Sequence, residues 1–140
     1  MYEFILLSNT ETSFSFVQEK CPENNNNIDI THNVNIKINK DLSLSLSLEI
    51  LLNNKEEIFL ESKIELYFNF SESTLENFRK ESTDKLTLPK ELISHLISIA
   101  VGINRGIILC KTKEKNKEFL LPLINISELI KDDLTIKFPA

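Results

Sequence analysis

The chain has little glycine, little cysteine and no tryptophan. Its 140 residues include two glycines, Gly102 and Gly106, and two cysteines, Cys21 and Cys110. A loop that wraps phosphate groups needs several glycines close together, so the sequence excludes that kind of nucleotide site. The cysteines form no CxxC pair and lie near no histidine-rich motif. We therefore expect no metal, no cofactor and two reduced thiols, with a single disulfide as the alternative.

The chain also lacks a basic surface. Its net charge is -5, and residues 1–70 carry 5 lysines against 11 acidic residues. Neither half has the excess of lysine and arginine that binding to nucleic acid requires, so we expect no nucleic-acid partner. The acidic half would suit a basic protein partner, unless it is simply a soluble surface.

Length and composition indicate one globular domain spanning residues 1–140. The hydrophobic fraction of 41% and the charged fraction of 26% are both ordinary for such a domain. The opening residues, MYEFILLSNTE, have no basic leader and read as a first strand rather than a signal peptide. No stretch approaches the ~20 apolar residues of a membrane span. We predict a cytoplasmic protein that does not insert into membranes.

Period-two alternation dominates residues 28–70. The apolar residues fall on even positions, and only His32 and Lys40 interrupt the first series, which makes His32 an expected edge histidine. The series are Ile28, Ile30, Val34, Ile36, Ile38, Leu42, Leu44, Leu46, Leu48, Ile50 and Leu52, then Ile58, Leu60, Ile64, Leu66, Phe68 and Phe70. This pattern predicts strands with one apolar face, with a bend at residues 39–41. Phe14 and Phe16 predict an earlier half-buried strand.

The two even faces also predict the length of a hairpin loop. If both faces meet the same core, the numbers of facing residues sum to an even number. The loop around NNKEE then has three or five residues, with Asn53 or Asn54 in a left-handed conformation.

Helical signals follow Phe70. Ser73 and Glu76 are spaced as a capping box that opens a short helix, and Asn125 with Glu128 predicts another. Residues 88–109 form the main predicted helix, with Pro89 in its first turn.

The apolar side of this main helix is unusually wide. It covers an arc of roughly 200°, whereas a helix on one sheet needs a stripe of about 100°. We expect one side to cover the leucine face of the sheet and the other to contact a second subunit. The alternative is that residues 119–130 of the same chain fill that space. The expected interface residues are Ile93, Ile97, Ala100 and Val101.

Catalytic motifs are missing from the sequence. It contains no HExxH and no nucleophile elbow, and Ser94 and His95 diverge by about 100° on a helix. We predict that the protein is not an enzyme and acts through a binding surface.

Two segments resemble the SecB family of protein-export chaperones. The first is LPKELISHLISIAVGINRGIILCKT, with Leu88-Pro89 at its start and Asn104-Arg105-Gly106 near its end. The second is FLLPLINISEL, with Leu121-Pro122, Ile124-Asn125 and Glu128-Leu129. The order of the upstream strands also fits, so the resemblance covers roughly residues 10–130. Unlike many relatives, the chain has no aromatic residue in the crossover loop and no long acidic tail.

The resemblance implies an α+β fold with a four-stranded antiparallel sheet. One long and one or two short helices would pack on one face, and subunits would assemble as a dimer or a dimer of dimers. It also implies an ATP-independent holder of unfolded preproteins that delivers them to the SecA ATPase. Groove residues, placed by segment, are Ile28, Ile30, Leu123, Ile126, Leu129 and Ile130, each of which could instead belong to the core.

The outer sheet face is the expected docking site for SecA, because family members bind the basic tail of SecA there. The acidic candidates in this chain are Glu49, Glu57, Glu61 and Glu65. SecB-like proteins also serve as dedicated chaperones for one antitoxin or mobile-element protein, so an adaptor for a single partner is the alternative. A carrier of a small apolar ligand is a third possibility, for which the sequence offers no polar anchor.

Overall fold

A computed structural model of the chain describes residues 4–20, 28–79, 85–114 and 132–137. Its main element is an antiparallel sheet of four strands in the spatial order β1-β4-β3-β2. The strands are β1 (Phe4–Phe16), β2 (Ile28–Ile38), β3 (Leu44–Asn54) and β4 (Glu57–Phe70). A second antiparallel pair consists of β5 (Lys85–Leu88) and β6 (Leu134–Lys137). The expected α+β class with a large antiparallel sheet is confirmed, but the described residues hold six strands instead of the expected four, because a separate pair accompanies the four-stranded sheet.

Two α-helices and a short 3-10 helix, Gln18–Lys20, complete the described fold. Helix α1 spans Glu72–Arg79 and contacts β5, and helix α2 spans Lys90–Glu114 and packs on β3 and β4. The carboxylate of Asp133, just before β6, accepts a hydrogen bond from the backbone N–H of Lys90 at 2.9 Å. The β5–β6 pair therefore lies beside the start of α2. The short helix expected from Asn125 and Glu128 lies outside the described residues.

The leucine face of β3 forms the centre of the core, between the sheet and α2. The even-numbered residues from Leu44 to Leu52 are completely buried, as are Leu60, Ile64, Leu66 and Phe68 on β4. Each Å² of apolar surface that this layer removes from water stabilises the fold by about 25 cal/mol. The expectation that the main helix covers the leucine face is confirmed.

The even-numbered series from residue 28 to residue 52 does not form one bent strand. Strands β2 and β3 are an antiparallel hairpin in which Val34 lies opposite Leu48. Residues 39–43 connect them, and Leu42 adopts a left-handed φ of 69°. The Asp41 carboxylate accepts hydrogen bonds from the backbone N–H and the hydroxyl of Ser43, which lower the pKa of Asp41. A five-residue connection keeps the even residues of both strands on one face.

The β3–β4 hairpin departs from the predicted loop length. In the body of the hairpin the even-sum rule is confirmed, since Leu52 lies opposite Leu60. The turn itself has only two residues, Lys55 and Glu56, with φ of 50° and 72°, so the predicted left-handed asparagine is wrong. A register shift of one residue restores the pairing, because Asn53 lies opposite Ile58 and leaves Phe59 as an extra residue.

The cap of α1 is also different from the predicted one. The hydroxyl oxygen of Ser71 accepts a hydrogen bond from the backbone N–H of Thr74 at 3.3 Å. Ser71 is therefore the N-cap instead of Ser73, and the helix begins two residues earlier than the capping-box pattern predicted. The main helix begins at Lys90, with Pro89 just before it, and continues five residues beyond the predicted end.

By length and composition α2 could cross a membrane, although 44% of its most apolar window is buried inside the chain. Its packing on the sheet accounts for the apolar side chains on that face.

Candidate functional site

The inner face of strand β2 carries a row of half-buried apolar side chains. We call Ile28, Ile30, Val34 and Ile36 the β2 strip; all four are partly buried and pack against the core. β2 is the last strand in the spatial order of the sheet, so α2, which packs on β3 and β4, covers this row incompletely. Two of the predicted groove residues, Ile28 and Ile30, are thus neighbours on an accessible apolar surface.

The other predicted groove residues, Leu123, Ile126, Leu129 and Ile130, lie outside the described part of the chain. Val34 and Ile36 were missed as groove candidates because parity alone does not distinguish an edge strand from a central one. The signal was present in His32, which interrupts the apolar row as expected of an edge position. Burial lowers the pKa of His32, so the neutral imidazole is favoured between Ile30 and Val34.

The four predicted interface residues of α2 are buried within a single chain. Ile93, Ile97, Ala100 and Val101 are at most 7% exposed. The accessible side of the helix consists of other residues. We call Ser98, Gly102, Gly106 and Cys110 the α2 stripe; they are exposed, and successive members are four residues apart.

The α2 stripe leaves room for close approach of another element. A Cβ atom added at Gly102 or Gly106 would meet nothing within 4 Å. Ile99 and Ile103, beside the stripe, are only partly buried. The side of α2 that faces away from the sheet therefore has small side chains along the stripe, flanked by Ile99 and Ile103.

A buried polar contact joins α2 to the sheet, and sequence reasoning did not identify it. The Ser62 hydroxyl donates to Oδ1 of Asn104, and both residues are completely buried. Nδ2 of Asn104 donates to the backbone carbonyl of Ser62 at 3.1 Å and to that of Leu48 at 3.4 Å. The available signal was a serine at an even position of β4 and an asparagine within the apolar arc of α2.

The outer face of the sheet brings three of the four predicted docking acids together. Glu49 lies opposite Lys63, and Lys63 lies between Glu61 and Glu65 on the same face of β4. The Asn33 side chain donates to Glu49 at 3.1 Å. Glu57 does not join them: it lies opposite Asn54, beyond the bulge, on the side of the sheet that carries Leu52. The surface thus has mixed charge because a lysine separates its acids.

The described residues offer no obvious metal centre. Within residues 4–20, 28–79, 85–114 and 132–137, no three His, Cys, Asp or Glu side chains lie together as metal ligands would. His95 is exposed, and its ring packs edge-on against Phe4 with 5.8 Å between centroids. In that contact the imidazole packs against an aromatic ring.

Comparison of the chain with protein-family models, with curated proteins and with solved structures finds no match.

Proposed function

We propose that this protein is an ATP-independent holding chaperone of the SecB kind, which binds unfolded polypeptides such as preproteins. The observation that carries the proposal is the β2 strip, a row of partly accessible isoleucine and valine side chains on the last strand of the sheet. The resemblance of residues 88–129 to SecB proteins supports the same function.

The β2 strip has the chemistry that an unfolded client needs. An extended segment with alternating apolar residues would bury those residues against Ile28, Ile30, Val34 and Ile36. Each Å² of apolar surface removed from water contributes about 25 cal/mol. An edge strand also offers backbone N–H and C=O groups to an added strand. Ordering the client costs entropy, so the net affinity is moderate and the client is released readily.

Transfer of the client to SecA is part of this proposal. Glu49, Glu61 and Glu65 share one face of the sheet and would attract a basic segment of the partner. Lys63 reduces the attraction, so this docking is weaker than an all-acidic face would give. We further propose that subunits associate through the accessible side of α2.

The experiment that tests the chaperone proposal is light scattering of denatured clients diluted into buffer without nucleotide. We expect the protein to suppress aggregation of several unrelated clients near equimolar amounts. The Ile28→Ser/Ile30→Ser variant should need roughly tenfold more protein for the same effect, since each lost apolar contact costs about 1 kcal/mol or more.

The matched control is the Ile5→Ser/Leu7→Ser variant. Ile5 and Leu7 are exposed on the opposite edge strand, at 66% and 54%, so this variant removes more exposed apolar surface than the Ile28→Ser/Ile30→Ser variant does, but away from the strip. It should retain suppression. Equal loss in both variants would show that exposed apolar surface in general, rather than the β2 strip, holds the client.

A dedicated chaperone or adaptor for one partner is the second candidate. The β2 strip favours it in one respect, because its four members are aliphatic and offer no aromatic side chain to varied clients. Failure to suppress aggregation of any unrelated client would support this alternative over the general holder.

A further inference from the structure

The outer face of the sheet has a polar trough above β3. Ser45 and Ser47 are short, whereas the residues beside them on β2 and β4 are longer. The trough has a cavity volume of ≈140 Å³. Its lining residues are Asn35, Lys37, Ser45, Ser47, Lys63 and Glu65.

Two lysines reach this trough from opposite walls. Lys37 on β2 lies opposite Ser45, and Lys63 on β4 lies opposite Glu49. These positions are separated by about 13 Å along β3, at ~3.3 Å per residue. Both side chains nevertheless line the same cavity. The two flexible stems are long enough to bring both ammonium groups toward Ser47, which lies midway between them.

The floor of the trough supplies further donors. The hydroxyl oxygen of Ser45 accepts a hydrogen bond from Nδ2 of Asn39 at 2.8 Å, which leaves its own proton to donate. Ser45 is only 2% exposed, so its orientation is fixed by the surrounding strand. The hydroxyl of Ser47 and the amide of Asn35 line the same space.

The wall contains one acidic side chain, Glu65. Its carboxylate accepts a hydrogen bond from the hydroxyl of Tyr67 at 2.9 Å, and this bond raises the pKa of Tyr67. Glu49, opposite Lys63, accepts from Asn33 and is not among the lining residues. Among the lining side chains two ammonium groups face one carboxylate, while Glu49 and Glu61 flank Lys63 outside the trough.

We propose that this trough binds one small oxyanion, a phosphate or a carboxylate group, between the ammonium groups of Lys37 and Lys63. The hydroxyls of Ser45 and Ser47 donate to its oxygens from the floor. The volume accommodates one tetrahedral or planar oxyanion with a few water molecules. Charge-assisted hydrogen bonds to two ammonium groups supply the main binding interaction. This site lies on the face of the sheet opposite the β2 strip, and it shares Lys63 and Glu65 with the surface proposed to dock SecA.

The test is titration of the whole chain with inorganic phosphate and, separately, with acetate, at constant ionic strength set by chloride. Amide chemical shifts of Ser45 and Ser47 in ¹H–¹⁵N spectra report binding. We expect saturable shifts with at least one of the two anions. Saturation with acetate alone identifies a carboxylate ligand, and saturation with phosphate identifies a phosphate ligand.

Two variants test the site in different ways. Lys37→Gln/Lys63→Gln removes the charges, and Ser47→Val fills the trough without changing any charge. Both should weaken binding about tenfold or more, as expected for loss of charge-assisted hydrogen bonds or of the space for the ligand. The matched control, Lys20→Gln/Lys90→Gln, removes two exposed lysines elsewhere and should bind as the natural chain does.

If neither phosphate nor acetate gave saturable shifts, the proposal would be overturned. Unchanged binding in the Lys37→Gln/Lys63→Gln variant would also overturn it. Circular dichroism of each variant establishes that the sheet is intact before binding is compared.

Discussion

Asn104 is a polar residue in the core, and its side chain depends on hydrogen bonds within the protein. It is completely buried, and its side chain is hydrogen-bonded to Ser62 and to the carbonyl of Leu48. An unpaired polar group at such a site costs far more than a hydrogen bond gains. The contact therefore favours one position of α2 over the sheet, because sliding the helix would leave these groups unpaired.

We predict that Asn104→Ala lowers the free energy of unfolding by about 2–3 kcal/mol, through lost hydrogen bonds and a small cavity. Ser62→Ala should cost less. The double variant should cost about 1 kcal/mol less than the sum of the single ones, because each single change leaves a buried partner unpaired. Urea unfolding of the four proteins measures this coupling.

Ser98→Ala is the control for this cycle. The Ser98 hydroxyl is exposed and donates to the carbonyl of Ser94 within the same helix. Its removal should change the free energy of unfolding by less than about 0.5 kcal/mol. Additive effects of Ser62→Ala and Asn104→Ala would contradict the proposed pairing.

At the scale of single residues, the sequence contained a sign of this buried contact that its apolar pattern did not show. Ser62 interrupts the even series of β4, and Asn104 lies within the apolar arc of α2. Two polar residues on faces that must meet are a recognisable signal of a buried pair. The pairing itself needs the register of helix on sheet, which no local pattern specifies.

Among the elements, the β3–β4 hairpin shows where pattern reasoning succeeds and fails. The parity of its apolar residues correctly predicted that even residues face even residues, as Leu52 and Leu60 do. The loop length derived from it was wrong because a bulge adds one residue to β4. NNKEE contains no glycine to mark the left-handed turn, and Lys55 and Glu56 take that conformation instead.

Replacing the strained turn should stabilise the hairpin. A non-glycine residue in the left-handed region costs about 1–2 kcal/mol, and Asn-Gly is the preferred pair for a two-residue turn. We predict that Lys55→Asn/Glu56→Gly raises the free energy of unfolding by about 1–2 kcal/mol. Thermal unfolding followed by circular dichroism measures the change.

The control is a glycine in the adjacent strand, β4, at a position where φ is not positive. Glu61→Gly on the outer face of β4 should lower the free energy of unfolding by about 0.5–1 kcal/mol, because glycine loses more backbone entropy on folding. If the turn variant were no more stable than the natural chain, strain at residues 55 and 56 would have no measurable effect.

As a whole, the described molecule is a sheet with one face covered by α2 and one polar face. Parity and the change to helical periodicity predicted that a helix covers the apolar face of the strands, and the resemblance to SecB proteins implied the α+β class. These signals were not enough to predict which part of the wide apolar arc stays accessible. Ile93 and Ile97 are buried in the chain itself, whereas the accessible side consists of the glycines and Cys110 of the α2 stripe.

Self-association through the α2 stripe has a direct test. We expect Gly102→Leu/Gly106→Leu to prevent the proposed association of subunits, because two helices approach closely only across small side chains. The single chain has open space at both positions, so the variant should still fold. Light scattering coupled to size-exclusion chromatography gives the mass, and cross-linking through Cys110 in a Cys21→Ser background gives the contact.

Alanine at the same two positions is the matched control. Gly102→Ala/Gly106→Ala should raise helix stability by about 1 kcal/mol per residue and largely preserve assembly. An unchanged mass in the leucine variant would place any interface elsewhere on the molecule.

The bulge at Phe59 bears on how this gene tolerates changes in length. Losing codon 59 would leave Leu52 opposite Leu60 and Asn53 opposite Ile58, since these pairs already exist on either side of the extra residue. The loss would remove a buried phenylalanine but would keep the leucine side of β4 on the core. Losing codon 55 or 56 would open the Asn54–Glu57 pair and leave a three-residue turn, so Asn53 would still lie opposite Ile58 and the leucines would still face the core. The bulge and the turn of one hairpin can therefore each lose a codon without exchanging the inner and outer faces of its strands.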